Sequence, residues 1–395
     1  MASPDVISVV SALARHKNVL LEGPPGTGKT RLITDVIQMI SDTRPAPAGG
    51  RPQIRPGVGF GTAEGPAKYS PLPLQMTVEW VTFHQSFTYE EFILGRRPVP
   101  VGSGLRLEPH FGTLTSLAIE LGSYDANKGV LLVIDEINRA NASQVFGEFI
   151  TLLDPDYRAT VGGIPNPRRV HPRFPGIEYE SKLSEPIKML RGGGTRQLPK
   201  EWAFPENVYV LATMNSVDKA ALPLDSALTR RFHRLHCPPD LRALAAALGM
   251  DWANVETAAT RARVENDWQT LSAEQTAVLL LERLNVAIAT DLSEDFELGH
   301  GLAWPVAIAD PNARWEALVR CWDHSILPQI VERFAGRNEA LRELLKLDTG
   351  LQVGSAFSVR TILGRAVANM GPLHLPDLAG LPLDIAKTTL RWLAT

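Results

Sequence analysis

Gly23-Pro24-Pro25-Gly26-Thr27-Gly28-Lys29-Thr30 decides how this chain is read. The stretch follows Asn18-Val19-Leu20-Leu21-Glu22, an apolar run that reads as a buried strand. It precedes Arg31-Leu32-Ile33-Thr34-Asp35-Val36-Ile37-Gln38-Met39-Ile40, whose apolar spacing reads as a helix. Strand, glycine-rich turn and helix are the context a phosphate-binding loop requires. The glycines let backbone N–H groups wrap phosphates without Cβ clashes, and the helix N-terminus adds a favourable dipole. In this pattern Gly23 to Arg31 line the nucleotide, Lys29 reaches the β- and γ-phosphates, and the Thr30 hydroxyl ligates Mg²⁺.

Bulk properties set the surroundings. The 395 residues allow two domains, and 44% hydrophobic with 21% charged residues is the balance of a globular protein. A formal net charge of −3 gives no global reason for nucleic-acid binding, so any basic surface must be local. The two cysteines, Cys237 and Cys321, have no metal-type spacing and suit a reducing, cytoplasmic setting. The N-terminus lacks the regions of a signal peptide, and no apolar run reaches the length of a membrane span.

Outward from the loop, residues 4–16 read as an amphipathic helix and 76–83 as a second strand. Residues 44–75 and 155–206 are dense in Pro and Gly and read as insertions; 98–112 reads as a Pro/Gly loop or hairpin. The later insertion carries Arg158, Arg168, Arg169, Arg173, Arg191 and Arg196, a set that suits either a partner-facing surface or an ordinary solvated loop. Gly129-Val130-Leu131-Leu132-Val133-Ile134-Asp135-Glu136 is an apolar run ending in two acids, as in a central parallel strand with carboxylates at its C-terminal edge. Beside a phosphate loop, Asp135 would hold Mg²⁺ and Glu136 would polarise the attacking water; two acids can also cap a following helix.

Asn207 to Met214 reads as another strand, ending in Asn215, placed to touch the γ-phosphate or the water, or alternatively to cap a helix. Arg230 and Arg231 end a short helical stretch; one of them can reach a neighbouring subunit's γ-phosphate as an arginine finger, or both can complement the helix dipole. From Pro238 the pattern turns helical, with spans at 241–248, 251–266, 272–290, 313–335 and 339–347, consistent with a lid; 359–369 and 384–394 read as two further helices. The implied fold is α/β, a parallel central sheet flanked by helices over residues 1–238, followed by a helical lid over 239–350 and a tail of unassigned role over 351–395.

The chain resembles AAA+ P-loop NTPases and, more narrowly, the McrB family of motor subunits from modification-dependent restriction systems. Beyond the loop, three blocks carry the likeness: Phe83-His84-Gln85-Ser86-Phe87-Thr88-Tyr89-Glu90-Glu91-Phe92, Ile134-Asp135-Glu136-Ile137-Asn138-Arg139-Ala140-Asn141, and Met214-Asn215-Ser216-Val217-Asp218-Lys219. Leu298-Gly299-His300 and Trp322 to Phe334 resemble the family's lid. The resemblance implies a homo-hexameric ring that binds GTP, is activated by an McrC-like nuclease and drives DNA translocation. It assigns Asp135 and Glu136 to Walker B and Asn215 to sensor 1. It places Asn138 and Arg139 beside the γ-phosphate or a subunit interface, and makes Asp218 an orienter of Arg230 and Arg231. Lys219 stands where the family signature has Arg, and Lys cannot make bidentate contacts. A MoxR-like ATPase that remodels a protein is the alternative in a different class. The base, GTP or ATP, is not readable from the phosphate loop.

Overall fold

The computed structural model describes residues 4–41, 61–62, 65–66, 72–73, 75–120, 128–158, 186–188, 195–197, 204–217, 222–357 and 375–395. They fall into two compact units. One comprises Pro4–Glu22 with Lys29–His236, the other Gly23–Gly28 with Cys237–Thr395.

The first unit is built on a five-stranded parallel sheet: β1 (Asn18–Gly23), β2 (Gln75–Thr82), β3 (Lys128–Asp135), β4 (Val208–Asn215) and β5 (His233–His236), in the order β5-β1-β4-β3-β2. β3 and β4 are central and read as near-continuous apolar runs because helices cover both faces of a parallel sheet. Val130 to Ile134 and Val208 to Ala212 are all buried. Their register, Val208 opposite Val130 through Ala212 opposite Ile134, carries the polar ends Asp135 and Thr213 to the same edge.

Helix α1 (Val6–His16) starts at Asp5, whose carboxylate accepts from the Ser8 N–H at 2.7 Å, and α2 (Lys29–Ile40) follows the glycine loop. The Pro-rich region after β2 is an antiparallel hairpin, Leu94–Val101 with Gly104–Phe111. The short strand Pro186–Lys188 joins it through His110 and itself pairs with Thr195–Gln197. The hairpin is longer than the 98–112 span read from sequence. Pro98 and Pro100 look like breakers but sit on an edge strand, where a missing N–H is tolerated.

The Phe83–Phe92 block turns out to be packing. Phe83, Phe92 and Phe146 are fully buried, Phe83 stacks on Phe87 at 4.7 Å, and Phe92 meets Phe83 edge-on at 5.5 Å. Glu91 accepts from the Thr88 N–H at 3.0 Å, closing one half of a capping box.

The second unit is helical. Its long central helix, Ala273–Asp291, begins in a capping box between Ser272 and Gln275 and buries Leu279, Leu280, Leu281, Leu284 and Ile288. The span read as one helix over 313–335 is interrupted: Arg314–Cys321 passes through a π-helical turn, Trp322–Ile326, into Leu327–Arg333. Pro328 lacks an N–H, so the ladder cannot run through unbroken. Asp323 in that turn accepts from the Leu378 and Ala379 N–H groups at 2.9 and 2.7 Å. With Leu390 and Leu393 of the last helix (Leu383–Leu393) also buried here, residues beyond 350 share this core. The helix read over 359–369 lies outside the described residues, as does most of 44–75 and of 155–206.

Candidate active site

Four side chains meet where β3 and β4 end. Thr213 Oγ1 donates to Asp135 Oδ1 at 2.6 Å and accepts from the Glu136 N–H at 3.0 Å. Asn215 Nδ2 donates to Glu136 Oε1 at 2.5 Å. One hydroxyl thus holds both acidic residues, and the Asn215 amide holds the Glu136 carboxylate that faces it. Asp135 and Glu136 are half-buried, exposed enough to meet a ligand yet shielded enough for their hydrogen bonds to direct them.

Glu136 itself sits at φ 57°, ψ 47°, the left-handed region that costs a non-glycine residue roughly 1–2 kcal/mol. The bond from its N–H to Thr213 holds it there and swings its carboxylate out of the strand direction. A capping role for the two acids does not describe this arrangement: the Glu136 side chain makes no cap hydrogen bond to the 3₁₀ turn Ile137–Arg139 that follows.

Asn138 is buried. Its Nδ2 donates to the Asn215 carbonyl at 3.1 Å and its own carbonyl accepts from the Leu222 N–H at 2.8 Å, so it braces the end of β4. Arg139 is exposed, with Nε 3.4 Å from Glu136 Oε2. Asp218 and Lys219 lie outside the described residues.

The arginine pair separates. Arg230 is exposed, whereas Arg231 is half-buried and folds its Nη1 back onto the Ala227 carbonyl at 2.6 Å. Burial, then the charge of Arg230, lowers the Arg231 pKa. The short helix carrying them, Ser226–Thr229, is capped by Asp225, whose carboxylate accepts from the Leu228 N–H at 2.9 Å and from the Ser143 hydroxyl. Those bonds hold the Asp225 carboxyl below its ordinary range.

In the glycine loop, Gly26 and Gly28 adopt φ values of +80° and +81°, which only glycine takes without strain. Thr27 is buried and its hydroxyl donates to the Pro24 carbonyl at 3.0 Å, closing the turn on itself. Lys29 opens α2 with its side chain buried, and Thr30 and Arg31 are exposed; Arg31 lies 3.9 Å from Asp35. Thr30 offers a hydroxyl and Asp135 carboxylate oxygens, the hard donors that Mg²⁺ takes, so the residues present fit that ion.

Thr213 is not singled out by the sequence, and Arg158 reads there only as one of a basic set on a partner-facing surface or a solvated loop. Thr213 shares a strand face with Asn215 by the two-residue period, a usable signal, but threonine is also an ordinary strand residue. Arg158 neither faces a partner nor is solvated: it is 4% exposed, donating to Asn18 Oδ1 at 2.6 Å, to the Leu153 carbonyl at 3.1 Å and to the Val208 carbonyl. Burial pulls its pKa down to about 10, so it stays charged at neutral pH.

Residues 72–232 match the AAA domain of the dynein-related subfamily, and 276–342 match the α-helical lid domain of McrB. The chain is 29% identical over 232 residues to the "Type IV methyl-directed restriction enzyme EcoKMcrB subunit" of Escherichia coli, covering 59% of this chain and 38% of that protein. It is 29% identical over 173 residues to the "Type II restriction enzyme BsuMI component YdiS" of Bacillus subtilis, covering 38% and 46% respectively. This chain thus spans less than half the length of either curated relative. Among solved structures, PCH-2 of C. elegans aligns over 79% of this chain and 67% of its own at 16% identity, with a TM-score of 0.31 that adds nothing to the sheet order. No helix among the described residues is long and apolar enough to cross a membrane. The chain therefore carries an AAA domain on a β5-β1-β4-β3-β2 sheet and, after it, a segment similar to the McrB lid.

Proposed function

We propose that this chain hydrolyses a nucleoside triphosphate, GTP before ATP, within a homo-hexameric ring, and that the ring drives DNA translocation for an McrC-like nuclease in restriction and antiviral defence. The observation that carries the hydrolytic reading is the contact of Asn215 with Glu136 at the ends of adjacent strands. A carboxylate aimed by a neutral amide, beside a second carboxylate on the same edge, is what activating a water next to a metal-bound phosphate requires.

In this reading Gly23 to Arg31 cradle the triphosphate and Lys29 neutralises its β- and γ-oxygens. Thr30 and Asp135 would hold Mg²⁺, which would supply charge neutralisation to the triphosphate. Glu136 takes a proton from water while the water oxygen bonds to the γ-phosphorus. The bond from that phosphorus to the β–γ bridging oxygen breaks, and the diphosphate leaves with its electrons. Asn215 keeps the carboxylate and the water aligned. Arg230, the exposed member of its pair, reaches a neighbouring copy's γ-phosphate; Arg231 supports it from the half-buried position, and Asp218, Lys219, Asn138 and Arg139 shape the seam. The working parts are the α/β region 1–238 and the lid 239–350; of the tail 351–395, the described residues Ala356, Phe357, Leu378, Leu390 and Leu393 share the lid's core.

The GTP preference and the DNA-directed output rest on kinship with a protein named as a methyl-directed restriction subunit. Steady-state hydrolysis of GTP and ATP, each with and without DNA and a co-encoded nuclease, tests them. GTP turnover that rises with the nuclease present supports the proposal. ATP turnover that ignores DNA and responds to a protein client replaces it with the MoxR-like reading.

A further inference from the structure

Within the helical unit, the backbone of Leu298–Gly301 lies directly against the glycine loop. The Gly26 carbonyl accepts from the Gly301 N–H at 2.8 Å. A Cβ on Gly299 would sit 2.2 Å from the Gly26 carbonyl carbon and 2.3 Å from the Pro25 oxygen, so no side chain fits there. Between these two glycines stands His300, its main chain pinned to the loop on either side.

The imidazole is oriented as firmly as the backbone. Nδ1 accepts from the Asp240 N–H at 3.0 Å, which places the ring proton on Nε2. Nε2 in turn lies 3.8 Å from where a Cβ on Gly28 would be. Trp304 meets the ring edge-on at 6.2 Å between centroids. Burial lowers the imidazole pKa, with only the Asp240 carboxylate opposing, so the ring is held neutral. The result is a directional N–H donor without charge, at the phosphate-binding turn, with no protein acceptor among the described residues.

We propose that His300 is a nucleotide-binding residue whose Nε2–H donates to a phosphate oxygen of the nucleotide cradled by Gly23–Gly28. The inference rests on reading that loop as the phosphate site. It gives the helical unit its own bond to the ligand, so occupancy of the loop is reported to the lid through one side chain as well as through the Gly26–Gly301 backbone contact.

The test is titration of the full chain with fluorescent GTP, GDP and ATP in magnesium buffer, on wild type, Lys29→Ala, His300→Phe and His300→Gln, with thermal melts alongside. His300→Phe keeps an aromatic ring but removes the donor and should weaken nucleotide binding roughly 10- to 100-fold, the cost of a hydrogen bond to a charged partner. His300→Gln retains an N–H at similar reach and should recover most of that loss. Two results overturn the proposal: wild-type affinity in His300→Phe, or a His300→Gln protein as weak as His300→Phe, which would assign the ring to packing. If wild type and Lys29→Ala are alike in failing to bind, the loop reading falls first and takes the proposal with it; if Lys29→Ala alone fails, the loop reading stands and the His300 variants decide.

Discussion

The two ends of β4 carry polar networks of similar density and opposite purpose. At its start the Val208 carbonyl is held by Arg158, which also grips Asn18 and the Leu153 carbonyl, with Tyr209 and Lys17 alongside. At its end Thr213 and Asn215 hold Asp135 and Glu136. The first network is sealed, with Arg158 and Tyr209 at 4% and 3% exposure; the second is half-open. Residue type does not separate a structural group from a chemical one here. Exposure and the direction of the bonds do: Arg158 spends its donors on fixed acceptors, whereas the carboxylates are aimed outward from the edge of the sheet.

The largest effect belongs to the open end. Glu136→Gln keeps the shape and a contact to Asn215 but removes the proton acceptor, so hydrolysis should fall about 10²- to 10⁴-fold while nucleotide affinity and melting temperature hold. Single-turnover rates beside binding titrations check it; unchanged turnover would remove Glu136 from the mechanism and erase the contrast between the two ends.

Next comes Arg158→Met at the sealed end. It leaves Asn18 Oδ1 and the Val208 carbonyl without this buried donor, while the Leu153 carbonyl keeps Asn18 Nδ2 at 2.7 Å, a loss of about 3 kcal/mol. For a unit of this size that is a drop of roughly 6–12 °C in melting temperature. Activity per folded molecule should fall little. Because Asn18 also donates to the Arg231 carbonyl at 2.9 Å, a selective loss of turnover without destabilisation would show the sealed network reaching into the arginine pair.

Thr213→Val asks whether the hydroxyl matters beyond filling space. The volume is kept, but the Glu136 N–H and Asp135 Oδ1 both lose a partner. A cost of about 1–2 kcal/mol is expected, appearing as a roughly tenfold slower turnover rather than as weaker nucleotide binding.

How far these features were legible in sequence follows from the same contrast. The ends of β3 and β4 could be read because a long apolar run sets strand length, and the first polar residues after it must stand at the sheet's edge. Thr213 escaped notice because a β-branched residue inside a strand looks like propensity. Arg158 reads only as part of a basic set, partner-facing or solvated, because two of its acceptors, on Asn18 and Val208, are brought to it by tertiary structure. Likewise 313–335 has helical periodicity throughout, and only the packing of Asp323 against Leu378 and Ala379 reveals what the π-turn achieves.

The smallest predicted effect is also the one that reports on the sealed end alone. Tyr209 is buried, and that burial pushes its phenol up to about 12 from an ordinary value near 10. The folded protein therefore keeps the Tyr209 proton over a range in which the unfolded chain has lost it. The stability linked to that proton is fully present below pH 10 and disappears as pH climbs from about 10 to 12. Melting temperature should accordingly fall more steeply across that interval in wild type than in Tyr209→Phe, which has no phenol to ionise. Other groups titrate there too, so the difference between the two curves is the measurement. Parallel curves would mean that water reaches the phenol in the native state. The start of β4 would then be as open as its end, and the contrast between the two networks would have to rest on chemistry rather than on burial.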